Sequence, residues 1–201
     1  GFDLVRSVTD GKYIYSRNFV PFIPEVRYIN YLEIADITQH MRKDLKEGNL
    51  NEFQSRIFEE RPYEVLYDIE NDIWEEHNLA NNPKYSSLLN IMKKQLDATL
   101  LKSKDVLFIP EYDLVKISEK QSPYEYRLQE GYNFNEIYNV ASLSGKKGKE
   151  FARAQLKYLK SKDRFVRYWA SIGLMSQEKS ILDSHFKELQ EALEDEYPPV
   201  S

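Results

Sequence analysis

Arg61-Pro62-Tyr63-Glu64-Val65-Leu66-Tyr67-Asp68-Ile69-Glu70-Asn71-Asp72-Ile73-Trp74-Glu75-Glu76-His77-Asn78-Leu79-Ala80-Asn81-Asn82-Pro83 is the stretch whose reading decides the fold. Its first part, short and aromatic around Glu64-Val65-Leu66-Tyr67-Asp68, has strand character. Residues 69–82 are polar and turn-forming. Asn82 suits a helix N-cap with Pro83 at the first helical position. Beyond it Tyr85, Leu88, Leu89, Met92, Leu96 and Leu100 recur on one helical face. A strand, a built turn and a long helix in succession predict an α+β fold, with a small antiparallel sheet packed against long helices.

Working toward the N-terminus, apolar Leu4, Val5 and Val8 precede Asp10-Gly11, and Tyr13, Ile14, Tyr15 and Phe19 follow it. An Asp-Gly pair between such runs predicts a hairpin over residues 3–19. After Pro21 and Pro24, residues Leu32, Ile34, Ala35, Ile37, Met41 and Leu45 predict one helix ending at Gly48. Toward the C-terminus, residues 103–133 show no sustained period and read as an ordered linker or a draped segment. Three or four short helices are expected after it, over 134–143, 150–159, 164–175 and 180–193, with Asp163 capping the third of these patterns. The turn at 157–163 and the helix after it resemble half of a HEAT-like pair. The expected organisation is therefore a sheet-and-helix subdomain at 1–105, a linker at 106–133 and an all-α extension at 134–201.

The 201 residues carry 28 basic and 33 acidic side chains, a net charge of −5, with 41% hydrophobic and 30% charged residues. That balance opposes nonspecific attraction to polyanions, so no nucleic acid partner is expected. No apolar run approaches bilayer length and no membrane span is expected. The opening Phe2-Asp3-Leu4-Val5-Arg6 has none of the features of a secretion signal, and Gly1 reads equally as an expression scar. With no cysteine, disulfide frameworks, thiolate metal sites and a Cys nucleophile are excluded.

The 61–83 stretch is similar to a segment near the end of many sulfatases, especially the N-sulfoglucosamine sulfohydrolase-like group and bacterial arylsulfatases. That group's pattern is roughly P-x-E-x-L-Y-D-L-x-x-D-P-x-E-x-x-N-L-A. Glu64, Leu66, Tyr67, Asp68, Asp72, Glu75, Asn78, Leu79 and Ala80 stand on it in register, and Ile73 takes the usual proline position. The hairpin resembles the family's V-R-T-x-x-Y-K-Y-I-x-N strand pair with a longer turn. The resemblance covers about residues 3–101 and implies the C-terminal region of a sulfatase, a small sheet with a long helix joined to a catalytic α/β domain.

Such enzymes hydrolyse sulfate esters or sulfamates, here on glycosaminoglycan-like sugars, outside the cytoplasm in a periplasmic or extracellular setting. They use a formylglycine made within C/S-x-P-S-R and a calcium ion. Neither is expected in this chain: Ser122-Pro123 continues Tyr124-Glu125-Tyr126-Arg127, and the metal-binding pairs belong to the catalytic domain. The chain is therefore expected to have no catalytic residue, to bind no metal, and to have the missing catalytic domain as its intramolecular partner. In related sulfatases the loop after the second strand can approach the active-site mouth, so the resemblance implies Arg17, Asn18 and Tyr28 as candidate substrate-facing residues for a sulfated carbohydrate.

Other patterns have ordinary readings. His40, His77 and His185 lack the paired spacing of a helical metal site. The acidic run from Asp68 to Glu76 lacks the glycine and terminal glutamate of a calcium loop and reads as a solvated turn. Trp169 with Tyr168 and Phe165 reads as helix packing, and Lys146-Lys147-Gly148-Lys149 as a solvated loop. A different class of function, a free-standing helical protein-interaction module, calls instead for an exposed apolar or charged groove on the helical tail.

Overall fold

The computed structural model describes residues 3–200. Strands β1 (Val5–Thr9) and β2 (Tyr13–Asn18) pair antiparallel, with Val8 opposite Tyr15. The turn between them is held by the Asp10 carboxylate, which accepts from the Lys12 and Tyr13 amides at 3.0 and 2.7 Å. Gly11 there has φ +96°, a left-handed conformation that a glycine adopts without Cβ strain. The chain then leaves the sheet for α1 (Asn30–Glu33), α2 (Asp36–Glu47) and α3 (Glu52–Arg56). It returns as β3 (Glu64–Asp68), antiparallel to β2 with Leu66 opposite Tyr15, giving the order β1-β2-β3.

Asn82 accepts from the Lys84 amide at 3.0 Å and starts a 3-10 turn, Pro83–Tyr85, that runs into α4 (Ser86–Ser103). Leu89, Met92, Leu96 and Leu100 form its buried stripe. A second 3-10 turn, Val106–Phe108, leads to α5 (Glu111–Ser118), α6 (Pro123–Tyr126) and α7 (Phe134–Ala141). Then follow α8 (Lys149–Tyr158), α9 (Arg164–Leu174), α10 (Lys179–Asp183) and α11 (Phe186–Ala192). The fold is α+β: one three-stranded sheet and eleven α-helices among the described residues. None of those helices is long and apolar enough to cross a membrane.

The structure corrects two sequence expectations and adds detail to a third stretch. The single helix expected to end at Gly48 is two, because Ala35 adopts an extended backbone (φ −80°, ψ 132°) between α1 and α2. The last expected helix is also two, parted at Ser184 and His185. Residues 103–133, which show no period, hold a 3-10 turn and two short helices. Elements this short complete too few turns to print a stripe in the sequence.

Phe108, from that aperiodic stretch, is fully buried at the centre of the core. Its ring lies 4.8 Å from Phe19, 5.3 Å from Phe134, 5.6 Å from Tyr138 and 5.5 Å from Trp169. The Trp169 indole donates to the Phe108 carbonyl at 2.8 Å, so the buried N–H is satisfied. One continuous core thus joins Tyr15 and Leu66 of the sheet, the α4 stripe, and Ile137 and Trp169 of the later helices. Truncating a fully buried tryptophan such as Trp169 to alanine costs about 3–5 kcal/mol.

Candidate functional site

The spacing between Glu64 and Ala80 has a structural explanation. The Asn78 amide oxygen accepts from the Leu66 and Ala80 backbone N–H, each at 3.0 Å, and its amino group donates to the Glu64 carbonyl at 3.1 Å. The Leu79 N–H adds a bond to the Leu66 carbonyl at 2.8 Å. Leu66 faces Tyr15 across β2, so these bonds fall on the outer edge of β3, where backbone groups would otherwise have no partner. Between strand and clasp, Asp68 accepts from the Asn71 amide at 3.2 Å, and Asp72 accepts from the Glu76 and His77 amides at 3.0 and 2.8 Å. Glu75 takes a positive φ of 54° inside this turn. Asp72 is accordingly held below its ordinary carboxylate range, chiefly by the His77 amide.

Arg17 and Asn18 are buried at the end of β2. The Arg17 Nη1 donates to Asp97 Oδ1 at 2.8 Å and to the Tyr138 hydroxyl at 2.7 Å, and Nε donates to the Tyr15 hydroxyl at 3.2 Å. Tyr138 donates to Asp97 at 2.6 Å, Tyr15 to Glu64 at 2.9 Å, and Lys93 to Glu64 at 2.7 Å. One charged network therefore ties β2 and β3 to α4 and α7. Asn18 donates to the Pro62 carbonyl. Tyr63, beside this network, is pushed up to about 12 by burial, with Arg17 pulling the other way. Burial, and then the Arg17 charge, hold the Lys146 ammonium below the usual lysine range.

Tyr28 is not brought together with Arg17 and Asn18: it is 72% exposed, and its hydroxyl donates to Asn30 at 3.3 Å. Tyr31, Ile34 and Ile37, which follow it at three-residue spacing, are 77%, 72% and 70% exposed. Thr38 is the one buried residue of α2, so most of the apolar face of that helix has no cover among the described residues. Trp74, 79% exposed at the tip of the Asp72–Glu75 turn, and Phe53 of α3 line one cleft of about 510 Å³ with Glu25, Arg56 and Tyr67.

Asp72, Glu76 and His77 group closely enough to hold an ion. They do not fit calcium: both Asp72 oxygens are taken by backbone N–H groups, and a histidine nitrogen is a poor donor to that hard cation. Ser122, the other residue weighed for sulfatase chemistry, caps α6, its hydroxyl oxygen accepting from the Glu125 amide at 3.2 Å. The partners of Arg17 were not legible as site residues, because Asp97 and Tyr138 lie 80 and 121 residues away along the chain. The one available signal is Asp97 itself, a carboxylate directly after Leu96 of the buried α4 stripe.

No family model matches the chain. Two ulvan-active sulfatases of Formosa agariphila are similar to it. One is 36% identical over 114 residues, 56% of this chain and 19% of the relative. The other is 29% identical over 102 residues, 51% of this chain and 18% of the relative. About half of this chain is therefore sulfatase-related in sequence, and the match spans less than a fifth of each relative's length.

Proposed function

We propose that this chain is the C-terminal, non-catalytic region of a sulfatase whose catalytic domain removes sulfate from a sulfated polysaccharide. Ulvan, the polysaccharide in both relatives' names, is the first substrate to test, ahead of the glycosaminoglycan-like sugars that the sequence resemblance implies. The observation that carries this reading is the exposure of Tyr28, Tyr31, Ile34 and Ile37, four large apolar side chains in succession with little cover. Large apolar side chains left in solvent on a loop, α1 and the start of α2 call for a cover, and we assign that role to the catalytic domain of the same polypeptide.

In this arrangement the β3 clasp and the Arg17 network set a rigid base, and the loop rising from it carries Tyr28 toward the domain junction. Tyr28 is then the substrate-facing member of its group, while Arg17 and Asn18 hold the loop's root. Formylglycine and calcium belong to the catalytic domain in this reading. The setting is periplasmic or extracellular, where a polymeric sulfated sugar is accessible.

The test is sulfate release, measured by ion chromatography. A longer product of the same gene should release sulfate from ulvan and from a small aryl sulfate, whereas the 201-residue chain should release none. Ile37→Glu should lower the melting temperature of the longer protein and leave that of the 201-residue chain within about 1 °C, since Ile37 is 70% exposed here. A longer product that releases no sulfate from either substrate, or an upstream reading frame without C/S-x-P-S-R, refutes the proposal.

A further inference from the structure

Two clefts of about 590 and 460 Å³ lie between α5, α6, the start of α9 and the C-terminal segment, and they share Tyr126, Arg164, Glu196 and Tyr197 as walls. They form one groove with a distinct chemistry. Lys116 of α5 and Lys120 in the turn after it line one part and Lys162 the other; all three are exposed, and none has a carboxylate partner among the described residues. The acids near them are largely spent. Asp113, 3% exposed, is engaged by Arg164 at 2.6 Å and by the Tyr197 hydroxyl. Asp163 accepts from the Phe165 amide at 2.8 Å and caps α9. Among the residues that line the clefts, Glu196 is the exposed acid that remains, 3.8 Å from Arg167. A chain of net charge −5 therefore concentrates unpaired cations in one groove of its helical part.

The groove is also aromatic. Tyr112 is 43% exposed, stands 6.1 Å from the ring of the buried Tyr197, and has the Lys116 ammonium 3.6 Å from its own centroid. The Arg164 guanidinium lies 5.6 Å from the Tyr197 ring centroid. Flat rings between dispersed ammonium groups suit a chain that alternates apolar sugar faces with fixed anions. Sugar C–H groups pack on the rings while sulfates or carboxylates meet the lysines. An acidic peptide offers the charges without rigid faces to stack.

We infer that this groove is a second polysaccharide-binding site, separate from any catalytic centre, which holds an anionic sugar chain through Lys116, Lys120, Lys162 and Arg164 against the rings of Tyr112 and Tyr126, with the buried Tyr197 as their backing. The choice of a sulfated polysaccharide as occupant rests on the function proposed above; the groove's charge and shape do not. Such a site keeps a polymer close while its sulfates are processed, raising effective concentration without taking part in the chemistry.

The 201-residue chain is titrated calorimetrically with ulvan, with chemically desulfated ulvan and with poly-glutamate, at low salt and at high salt. Ulvan should bind and weaken as salt rises, because association releases condensed counterions. Lys116→Ala/Lys120→Ala/Lys162→Ala should weaken binding about tenfold or more while circular dichroism and melting stay unchanged. Lys46→Ala/Lys94→Ala/Lys187→Ala, an equal charge loss elsewhere on the surface, should change affinity less than about twofold. The inference is overturned if ulvan does not bind, if both triple variants behave alike, or if poly-glutamate binds as tightly as ulvan. Desulfated ulvan binding as well as ulvan overturns it equally. Hydrolysis of a small aryl sulfate by the longer protein separates the two claims. Activity there with no ulvan binding here ends the groove alone, and binding here with no activity there ends the sulfatase reading alone.

Discussion

Asn78→Ala removes one side chain and with it three hydrogen bonds, to the Leu66 and Ala80 amides and the Glu64 carbonyl. At roughly 1 kcal/mol net per bond the ceiling is about 3 kcal/mol, and because Asn78 is half-buried and water can reach part of the site, the expected loss is about 2–3 kcal/mol. For a chain of this size each kcal/mol moves the melting temperature by roughly 2–4 °C, so the expected drop is about 4–12 °C. Asn78→Asp keeps the accepting oxygen and loses the donor to Glu64, and should cost roughly half as much. Trp74→Ala, four residues away but 79% exposed, should cost less than about 0.5 kcal/mol. Urea titrations should show the midpoint falling in the order wild type, Trp74→Ala, Asn78→Asp, Asn78→Ala at constant slope. If Asn78→Ala is no worse than Trp74→Ala, the clasp does not hold the strand edge and its spacing needs another explanation.

Gly173→Ala places a Cβ 2.5 Å from the buried Gln155 amide, which also bonds the Leu143 carbonyl and Gln177, and should cost about 1–3 kcal/mol in the same titration. Arg17→Ala leaves Asp97, Tyr138 and Tyr15 without their shared donor; discounted for the 39% exposure of the Asp97 side chain, the loss should be about 2–3 kcal/mol, and Arg17→Lys should recover part of it. Asp195 is held below its ordinary value of 3.8, chiefly by two hydrogen bonds from Arg167. A lowered carboxylate stabilises above its unfolded value and loses that contribution as pH falls through the folded one, so acid titration below about pH 4 should destabilise wild type more than Asp195→Asn. Burial raises Tyr63 from 10.0 to about 12, and Tyr15, Tyr132 and Tyr138 are raised as well. Groups whose neutral form is favoured on folding stabilise below their unfolded value, so stability should fall from about pH 10 upward, with tyrosinate absorbance rising together with unfolding.

Local chemistry was readable where a residue acts within a few positions of itself. Asp10-Gly11 marks a tight turn, Asn82-Pro83 a helix start and Asp163 a cap, because each satisfies nearby amides. The α4 and α9 stripes were readable because those helices are long enough to repeat. The α1–α2 break at Ala35 was not, since an alanine carries no signal against helix and only its extended backbone parts the two. Phe108 was hidden for a different reason: its burial comes from contacts with Phe19, Phe134 and Trp169, none a neighbour in sequence. The same limit concealed the Arg17 network and the basic groove, which gather residues from three or four separate segments.

The aromatic knot around Phe108 also bears on how the chain folds during synthesis. Phe19 and Trp169 meet at 6.2 Å although 150 residues separate them (169 − 19). At roughly 5–20 residues per second, a ribosome takes about 8–30 s to deliver the second after the first. For that interval the nascent hairpin has emerged with Tyr15 and Phe19 uncovered, and its final packing waits on late helices. High contact order of this kind slows folding and leaves sticky surface available to chaperones, so yield in a heterologous host should respond to growth temperature and chaperone supply.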